Sequence, residues 1–543
     1  MSGVILIVFA IIMFVSAYRI YGNFISNKFS IDGKHTTPSH EMYDGVDYVP
    51  AKPPVLLGHH FASIAGAGPI VGPIIAASFG WAPVYAWILI GSAFIGGVHD
   101  YTALIASIRH KGKTIGQVIE NYIGLSGKKL FLIFTWATLI LVIAVFTIIV
   151  SNTFNSIPSA GTASILFIVI AIAFGLTSYR KKMPLLLSSV AGIVLLALAI
   201  YAGNQFPLLL SKQTWIIILL VYIFFASVTP VWILLQPRDY LNSFLLYALM
   251  LGGIVGLFFT MPEVHLEPVT NFKIDKIGYL FPALFVTVAC GAISGFHSIV
   301  SSGTTAKQLD KETDAKLIGY GGMLIEGVLA VLALLSVASL DQAHFIQLLN
   351  EKGAVTAFST GIANFINNIP LLGIDKAHAS SFAALAVAAF ALTSLDTATR
   401  LARYTFQEFF ETRRQTEKNG ITSNRYFATF ITVIAGGLLT MSGQSMTIWP
   451  VFGSANQLLA AIALLAITVW VINLKINYYF TLIPMLFMFA VTLSALAMLF
   501  YNNLLVNNYL LSIVSIFLFV LAVLLAWQAF TVLRTNTEPS TSK

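Results

Sequence analysis

Read from its first residue, the chain is a succession of apolar runs of roughly 20 residues separated by short polar connections. The runs lie near 3–22, 55–79, 82–108, 129–152, 161–178, 185–203, 214–235, 241–262, 278–302, 317–340, 379–398, 424–443, 447–474, 478–500 and 510–533. At about 1.5 Å rise per residue, each is long enough to cross hydrocarbon as a helix. Barrel strands would instead alternate apolar and polar over about 10 residues. The pattern predicts an all-α polytopic membrane protein with about 15 transmembrane helices.

Two connections are long. Residues 23–54 form a polar segment in which Asp32, Glu41, Asp44 and Asp47 balance the cations. Residues 341–378 contain an apolar-periodic stretch, Phe345 to Ile374, that predicts a short helix lying on the surface. The end, 535–543, is polar and reads as a tail.

Composition removes the other classes. Of 543 residues, 57% are hydrophobic and 10% are charged, against about 25% charged in soluble domains. The mean hydropathy is +0.85. No connection is large enough to house an enzyme, and no His-Glu-x-x-His is present for a metalloprotease. The single cysteine, Cys290, lies in an apolar run, so neither an internal disulfide nor a cysteine metal site is expected. No cofactor is expected either.

Thirty Lys and Arg against 22 acids would suggest nucleic-acid binding in a soluble chain. Here their location decides. The first run has no basic residue ahead of it and Arg19 behind it, which predicts a retained anchor with its N-terminus outside rather than a signal peptide. Alternating from there puts 25 cations on one face and five (Lys212, Lys273, Lys276, Lys352 and Lys376) on the other. The positive-inside rule makes the first face cytoplasmic. The charge therefore orients the chain in the lipid bilayer of a cytoplasmic (inner) membrane, C-terminus inside. It points to no nucleic acid, and no obligate protein partner is evident.

Helix breakers inside the runs come next. The second run packs Gly66, Gly68, Pro69, Gly72 and Pro73 into eight residues, which predicts an unwound stretch where backbone groups are free to bind a solute or ion. The alternative is a kinked helix packed closely through small residues. The seventh run carries Pro230 within Ala226-Ser-Val-Thr-Pro-Val-Trp. The charge count gives these two runs opposite directions, so they predict two inverted five-helix units, 55–203 and 214–398. The leading helix 1–22, the linker 23–54 and the helices of 424–534 lie outside those units. A competing register starts the second unit at the ninth run, whose Cys290-Gly-Ala-Ile-Ser-Gly-Phe-His also looks breakable. It leaves a seven-helix first unit and is set aside on that ground.

Several of these stretches resemble the carbon starvation protein A (CstA) family. They are Asp44-Gly-Val-Asp-Tyr-Val-Pro, Leu57-Gly-His-His-Phe-Ala-Ser through Gly72-Pro73, Pro230-Val-Trp through Arg238-Asp-Tyr-Leu, and Cys290 through His297. Ser301-Ser-Gly-Thr-Thr, Ile318-Gly-Tyr-Gly-Gly, Asp396-Thr-Ala-Thr-Arg and Trp449-Pro through Asn456-Gln-Leu fit as well. The resemblance implies an inner-membrane transporter of the amino acid–polyamine–cation superfamily with a LeuT-like core. It further implies uptake of pyruvate or peptides in nutrient stress. Two departures stand out. Only 341–378 occupies the place of a larger outside loop in some members, and His99 stands where Gln is expected before the Asp.

On that reading the broken second and seventh helices offer N–H groups to a carboxylate substrate. The substrate-binding candidates are Ser63, Gly66, Gly68, Pro69, Gly72, Ser227, Thr229, Pro230 and Trp232. Ser301, Ser302, Thr304 and Thr305 at the end of the ninth run suit a Na+ site, or else satisfy free backbone groups of their own helix. Glu326 is nine residues into the tenth run, near the midplane. An ionisable group is costly there and usually functional, and a carboxyl can take up and release a proton. Asp100, His297, Asp239 and the adjacent His59 and His60 complete the coupling or gating candidates. So do Asp396 and Arg400, which have the i,i+4 spacing of a helical ion pair. His59 and His60 point about 100° apart on a helix and cannot share a metal. Trp449-Pro450 and Asn456-Gln457 read as packing. The coupling ion stays open between H+ and Na+. The function expected is a secondary active transporter of a small carboxylate or short peptide. The rival is a nutrient sensor using the same pocket without net transport, for which no signalling domain is seen.

Overall fold

A computed structural model describes residues 2–45, 48–177, 184–230, 233–274, 277–370, 373–410, 421–442 and 445–537. Trp232, the end of the tail, and the cations Arg180, Lys181, Lys182, Lys276, Arg413, Arg414, Lys418 and Lys543 lie outside the described residues.

The chain is built of helices. It begins with α1 (Gly3–Lys28), the single turn α2 (Pro38–Glu41), α3 (Pro53–Ile64), α4 (Gly68–Ala76), α5 (Trp81–Gly91) and α6 (Gly97–Arg109). Then come α7 (Ile115–Tyr122), α8 (Leu125–Ser156), α9 (Pro158–Gly175), α10 (Leu185–Gln205), α11 (Lys212–Val228) and α12 (Leu235–Thr260). The middle holds α13 (Leu280–Thr287), α14 (Gly295–Gly303), α15 (Gly322–Ala338), α16 (Gln342–Glu351) and α17 (Ala354–Asn367). The last are α18 (Lys376–Phe410), α19 (Arg425–Met441), α20 (Ser445–Asn473), α21 (Tyr479–Leu505) and α22 (Tyr509–Thr537). A small hairpin pairs β1 (Lys273–Ile274) with β2 (Gly278–Tyr279).

Among the described residues, 11 helices are long and apolar enough to cross a membrane. The bent pair Pro53–Ile64 and Gly68–Phe79, turned by 44°, makes up to 12. Three of the 15 expected spans fall short of that standard. The seventh and twelfth are α11 and α19, each of 17 residues. The ninth is divided between α13 and α14.

The seventh run also differs from the expected mid-span break. α11 ends at Val228 and Thr229 is extended, as a residue preceding proline is driven to be. Pro230 therefore terminates a helix instead of interrupting one, and α12 starts at Leu235. The second interrupted span is the ninth.

The two longest helices, α8 and α18, pack along each other. α4 lies on α15, α3 on α12, and α14 is held between α6 and α20. The stretch 341–378 holds two short helices, α16 and α17, rather than one. Phe345, Phe358 and Phe365 from them are fully buried. The hairpin α9–α10 lies at the edge, with Leu186 and Leu198 exposed.

Connections meet at two ends of the bundle. On one, Gly3 N–H donates to the Pro262 carbonyl at 2.8 Å and His265 N–H to that of Ala338 at 2.8 Å. On the other, residues 29–52 strap the turn before α15. There Ala51 N–H donates to the Gln308 carbonyl at 2.9 Å, and Ser39 Oγ to that of Leu309 at 2.7 Å. In this strap the Lys34 backbone N–H holds the Asp32 carboxyl below the usual carboxylate range.

Candidate functional site

The two interruptions meet in the interior. Between α3 and α4 the chain bends at 65–67, and Pro69 falls in the first turn of α4, where a missing N–H costs nothing. Its glycines set the distance to the neighbouring break. A Cβ on Gly68 would stand 2.5 Å from Cys290 Sγ, and one on Gly72 2.6 Å from the Thr287 carbonyl oxygen. One on Gly66 would stand 2.4 Å from Ser394 Oγ. In the second break Gly291 has φ +90°, left-handed backbone that glycine adopts freely, and lies against Pro69 and Ala330.

Unwinding leaves backbone groups in and beside 288–294 without helical partners, and side chains from the α5–α6 span and from α20 take them up. Ser92 Oγ donates to the Gly291 carbonyl at 2.7 Å, and Trp87 Nε1 to that of Val288 at 3.3 Å. Asn456 Oδ1 accepts the Phe296 N–H at 2.9 Å while its Nδ2 donates to Ser294 Oγ at 3.0 Å. Gln457 Nε2 donates to the Phe285 carbonyl at 2.7 Å. Asn456 and Gln457, which the sequence assigned to packing, thus hold the second break in shape. The signal for them was two adjacent amides inside an apolar run.

At this junction three candidates singled out separately form one chain. His297 on α14 has Nδ1 2.7 Å from Asp100 Oδ2 of α6. Its Nε2 lies 3.4 Å from Glu326 Oε2 of α15. Glu326 Oε1 in turn accepts the Gly291 N–H at 3.2 Å. Asp100 Oδ1 is 2.7 Å from His99 Nδ1. All four side chains are fully buried. The acids occupy opposite corners of the imidazole, so the arrangement is a chain and not a metal cage. Asp100 had no cation near it in sequence; its partners are the two histidines.

The remaining candidates are distributed as follows. His60 Nδ1 pairs with Thr305 Oγ1 at 2.8 Å, at the edge of the same junction. Ser302 Oγ donates to the Ser298 carbonyl at 2.7 Å and Thr304 Oγ1 to that of Val300 at 3.0 Å. Three of the four hydroxyls proposed for sodium are therefore engaged; Ser301 Oγ is buried without a partner. Ser63 Oγ donates back to the His59 carbonyl at 2.9 Å.

Ser227 and Thr229 are not brought to the first break. Their helix, α11, packs on α8, α18 and α19. Ser227 Oγ faces Thr429 Oγ1 at 3.4 Å, and Thr229 Oγ1 donates to the Phe225 carbonyl at 2.7 Å. Pro230 follows in the turn after α11.

The i,i+4 pair Asp396–Arg400 does not form. Asp396 Oδ2 is taken by Arg238 of α12 and by Tyr222 Oη, the latter at 2.6 Å. Arg238 Nη2 also lies 3.2 Å from Asp239, which His59 approaches at 3.6 Å. Arg400 instead donates to the last carbonyls of α11, those of Ala226 and Thr229. A helix end leaves such carbonyls unpaired, and a guanidinium satisfies two at once.

On the face opposite the 29–52 strap, a cavity of about 120 Å³ opens above α4. Val71, Ile75, Ile149, Asn152, Lys352 and Trp449 are among its walls. Elsewhere, Asp32, His35 and Glu312 bring ligand atoms within 4.8 Å of one another in the strap. Arg109 Nε, 2.6 Å from Glu312, already supplies a cation there.

The profile described as "Carbon starvation protein CstA" matches residues 2–352 and 347–495. The chain belongs to the carbon starvation protein CstA family. Among its relatives is a peptide transporter CstA of Bacillus subtilis, 32% identical, the match covering 90% of this chain and 89% of the relative. Another, of Helicobacter pylori, is 35% identical over 86% of this chain and 77% of the relative. The Escherichia coli pyruvate/proton symporter BtsT is 31% identical over 92% of this chain and 81% of its own length. Such relatives support a multi-pass membrane transporter. A manganese transporter of Eremococcus coleocola aligns over 88% of this chain and 94% of its own at 13% identity and a TM-score of 0.46.

Proposed function

We propose that this CstA-family protein is a proton-coupled secondary transporter. It imports a small carboxylate such as pyruvate, or short peptides, across the cytoplasmic membrane during nutrient starvation. The observation that carries this reading is the junction of two interrupted helices on the buried chain Asp100–His297–Glu326. The half-helices α4 and α14 both begin at this junction. The N-terminal ends of half-helices carry partial positive charge, which suits a substrate carboxylate once the junction opens during transport. The chain supplies the ion step by charge counting. Two carboxyls and one imidazole are neutral with two protons among them, and removing one leaves a net negative charge in a dry interior, which is costly. Proton binding from one face and release to the other is thereby tied to which face the junction opens toward. The relatives named as peptide transporters and as a pyruvate/proton symporter are consistent with this class and ion.

In this reading α11, α19 and the pair α13/α14 also cross, giving 15 crossings with the N-terminus outside. The inverted repeat takes the register that starts at the ninth span. One unit then runs from α3 to α12 with α9–α10 as an inserted hairpin, and the other from α13 to α20. Support comes from the second helix of each unit. Turns of π-helix at Ser92–Gly96 and Lys316–Gly321 precede α6 and α15, and such turns are frequent at functional sites.

The test is purified protein in liposomes, given labelled pyruvate or a labelled dipeptide under an imposed proton or sodium gradient. Accumulation of one substrate under the proton gradient, with no response to sodium, is expected. No accumulation of either substrate, or accumulation driven by sodium alone, overturns the proposal.

A further inference from the structure

A second feature lies away from the junction, on the outer surface of the bundle. α11 and α19 run antiparallel and pack together, with Ser227 against Thr429 near one end and Leu220 against Gly437 further along. Between these contacts the surface opens into a groove of about 500 Å³. Its walls include Leu220, Phe224, Phe225, Phe430, Ile434 and Leu438. Phe225 is 60% and Leu438 69% exposed, so in a membrane this groove faces hydrocarbon.

Three arginines stand at its inner end. Arg400 and Arg403 belong to α18, and Arg425 is the first residue of α19. Arg425 precedes Phe430 by five residues, or about 7.5 Å along a helix. The neighbouring cations that act on Arg403 are Arg400 and Arg425. Arg403 and Arg400 are 5% and 7% exposed, and the Nε of each is buried without a partner. Among the described residues no carboxylate pairs with any of the three. Arg425 is exposed, but the two α18 arginines are buried one turn apart, and like charges gathered there favour binding of an anion. The guanidinium fork matches phosphate oxygens; the first N–H groups of α19 are already taken by Asn424 Oδ1, which accepts those of Tyr426 and Phe427 at 2.8 and 3.4 Å, so recognition of the anion falls to the arginines.

We propose that this groove and arginine cluster bind one anionic phospholipid of the cytoplasmic leaflet, with its phosphate on Arg403 and Arg425 and an acyl chain between α11 and α19. Basic pockets between helices on the cytoplasmic side suit acidic headgroups, and the positive-inside count puts these arginines on that side. A single molecule supplies both a counter-charge and the apolar filling. The site also lies on α18, which carries Asp396, and beside Arg400, which ties down the end of α11. The lipid therefore braces the helices around the junction without entering it.

The test is native mass spectrometry of the purified full-length protein after equilibration with equal amounts of phosphatidylglycerol and phosphatidylcholine. A third arm offers glycerol 1-phosphate, the headgroup chemistry without tails. Preferential retention of one phosphatidylglycerol is expected, with none of glycerol 1-phosphate. Arg403→Gln and Arg425→Gln should each lower retention roughly fivefold. Ile434→Trp, which fills the groove and leaves the arginines intact, should lower it as well. The last two changes lie at exposed positions and test the site even if Arg403→Gln fails to fold. Equal retention of phosphatidylcholine, unchanged retention in Arg425→Gln and Ile434→Trp, or glycerol 1-phosphate bound as firmly as the lipid would each overturn the proposal.

Discussion

Replacing Asn456 by Leu tests whether the second break is held open by side chains rather than left loose. Asn456 is fully buried, and leucine matches its shape closely enough to leave little void. Its hydrogen bonds are lost. The Phe296 N–H, an unpaired donor of the first turn of α14, loses the acceptor it has at 2.9 Å, and Ser294 Oγ loses the donor at 3.0 Å. Each buried polar group left without a partner costs about 1–3 kcal/mol, so Asn456→Leu is expected to destabilise by about 2–6 kcal/mol. Ser294→Ala removes one partner and should cost roughly half as much. The assay is the denaturation midpoint of detergent-purified protein, read beside uptake in liposomes. If Asn456→Leu unfolds within about 0.5 kcal/mol of the parent and transports at the parent rate, the pinning of the break by α20 is wrong.

Two further outcomes follow from contacts in the structure. A double-mutant cycle pairing Asp396→Asn with Arg238→Gln should give a coupling of about 0.5–3 kcal/mol. The cycle with Arg400→Gln should give less than about 0.5; the reverse order would restore the i,i+4 pair. Gly72→Ala pushes a Cβ to 2.6 Å from the Thr287 carbonyl oxygen and should cost about 1–3 kcal/mol by overpacking. Gly252, whose Cβ would meet only Ile366 at 3.6 Å, should gain up to about 1 kcal/mol as alanine. Equal thermal midpoints for the two variants would refute the close approach at Gly72.

Much of the fold was legible because crossing hydrocarbon demands long apolar helices, and such runs are visible locally. The first break was legible for the same reason, since Gly66 to Pro73 concentrates its breakers in eight residues. The second break was misplaced because proline reads alike whether it interrupts a helix or ends one, as Pro230 does. The true break, 288–294, contains no proline and is sustained by Asn456, some 160 residues away. Partners are hidden in the same way. Asp100 meets His297 across 197 positions, and Asp396 meets Arg238 across 158 while Arg400 waits at four. Residue type and depth in a run marked Asp100, His297 and Glu326 individually. Only packing of α6, α14 and α15 makes them a chain.

Glu326→Gln offers the most direct measurement, because it keeps size and removes the exchangeable proton. Parent and variant in liposomes should both exchange labelled for unlabelled substrate when no gradient is imposed, which shows a folded and moving carrier. Under an inside-alkaline gradient the parent should accumulate substrate, approaching tenfold per pH unit for one proton per uncharged import step. The variant should only equilibrate. Gradient-driven accumulation by Glu326→Gln at the parent level would contradict proton coupling through the Asp100–His297–Glu326 chain.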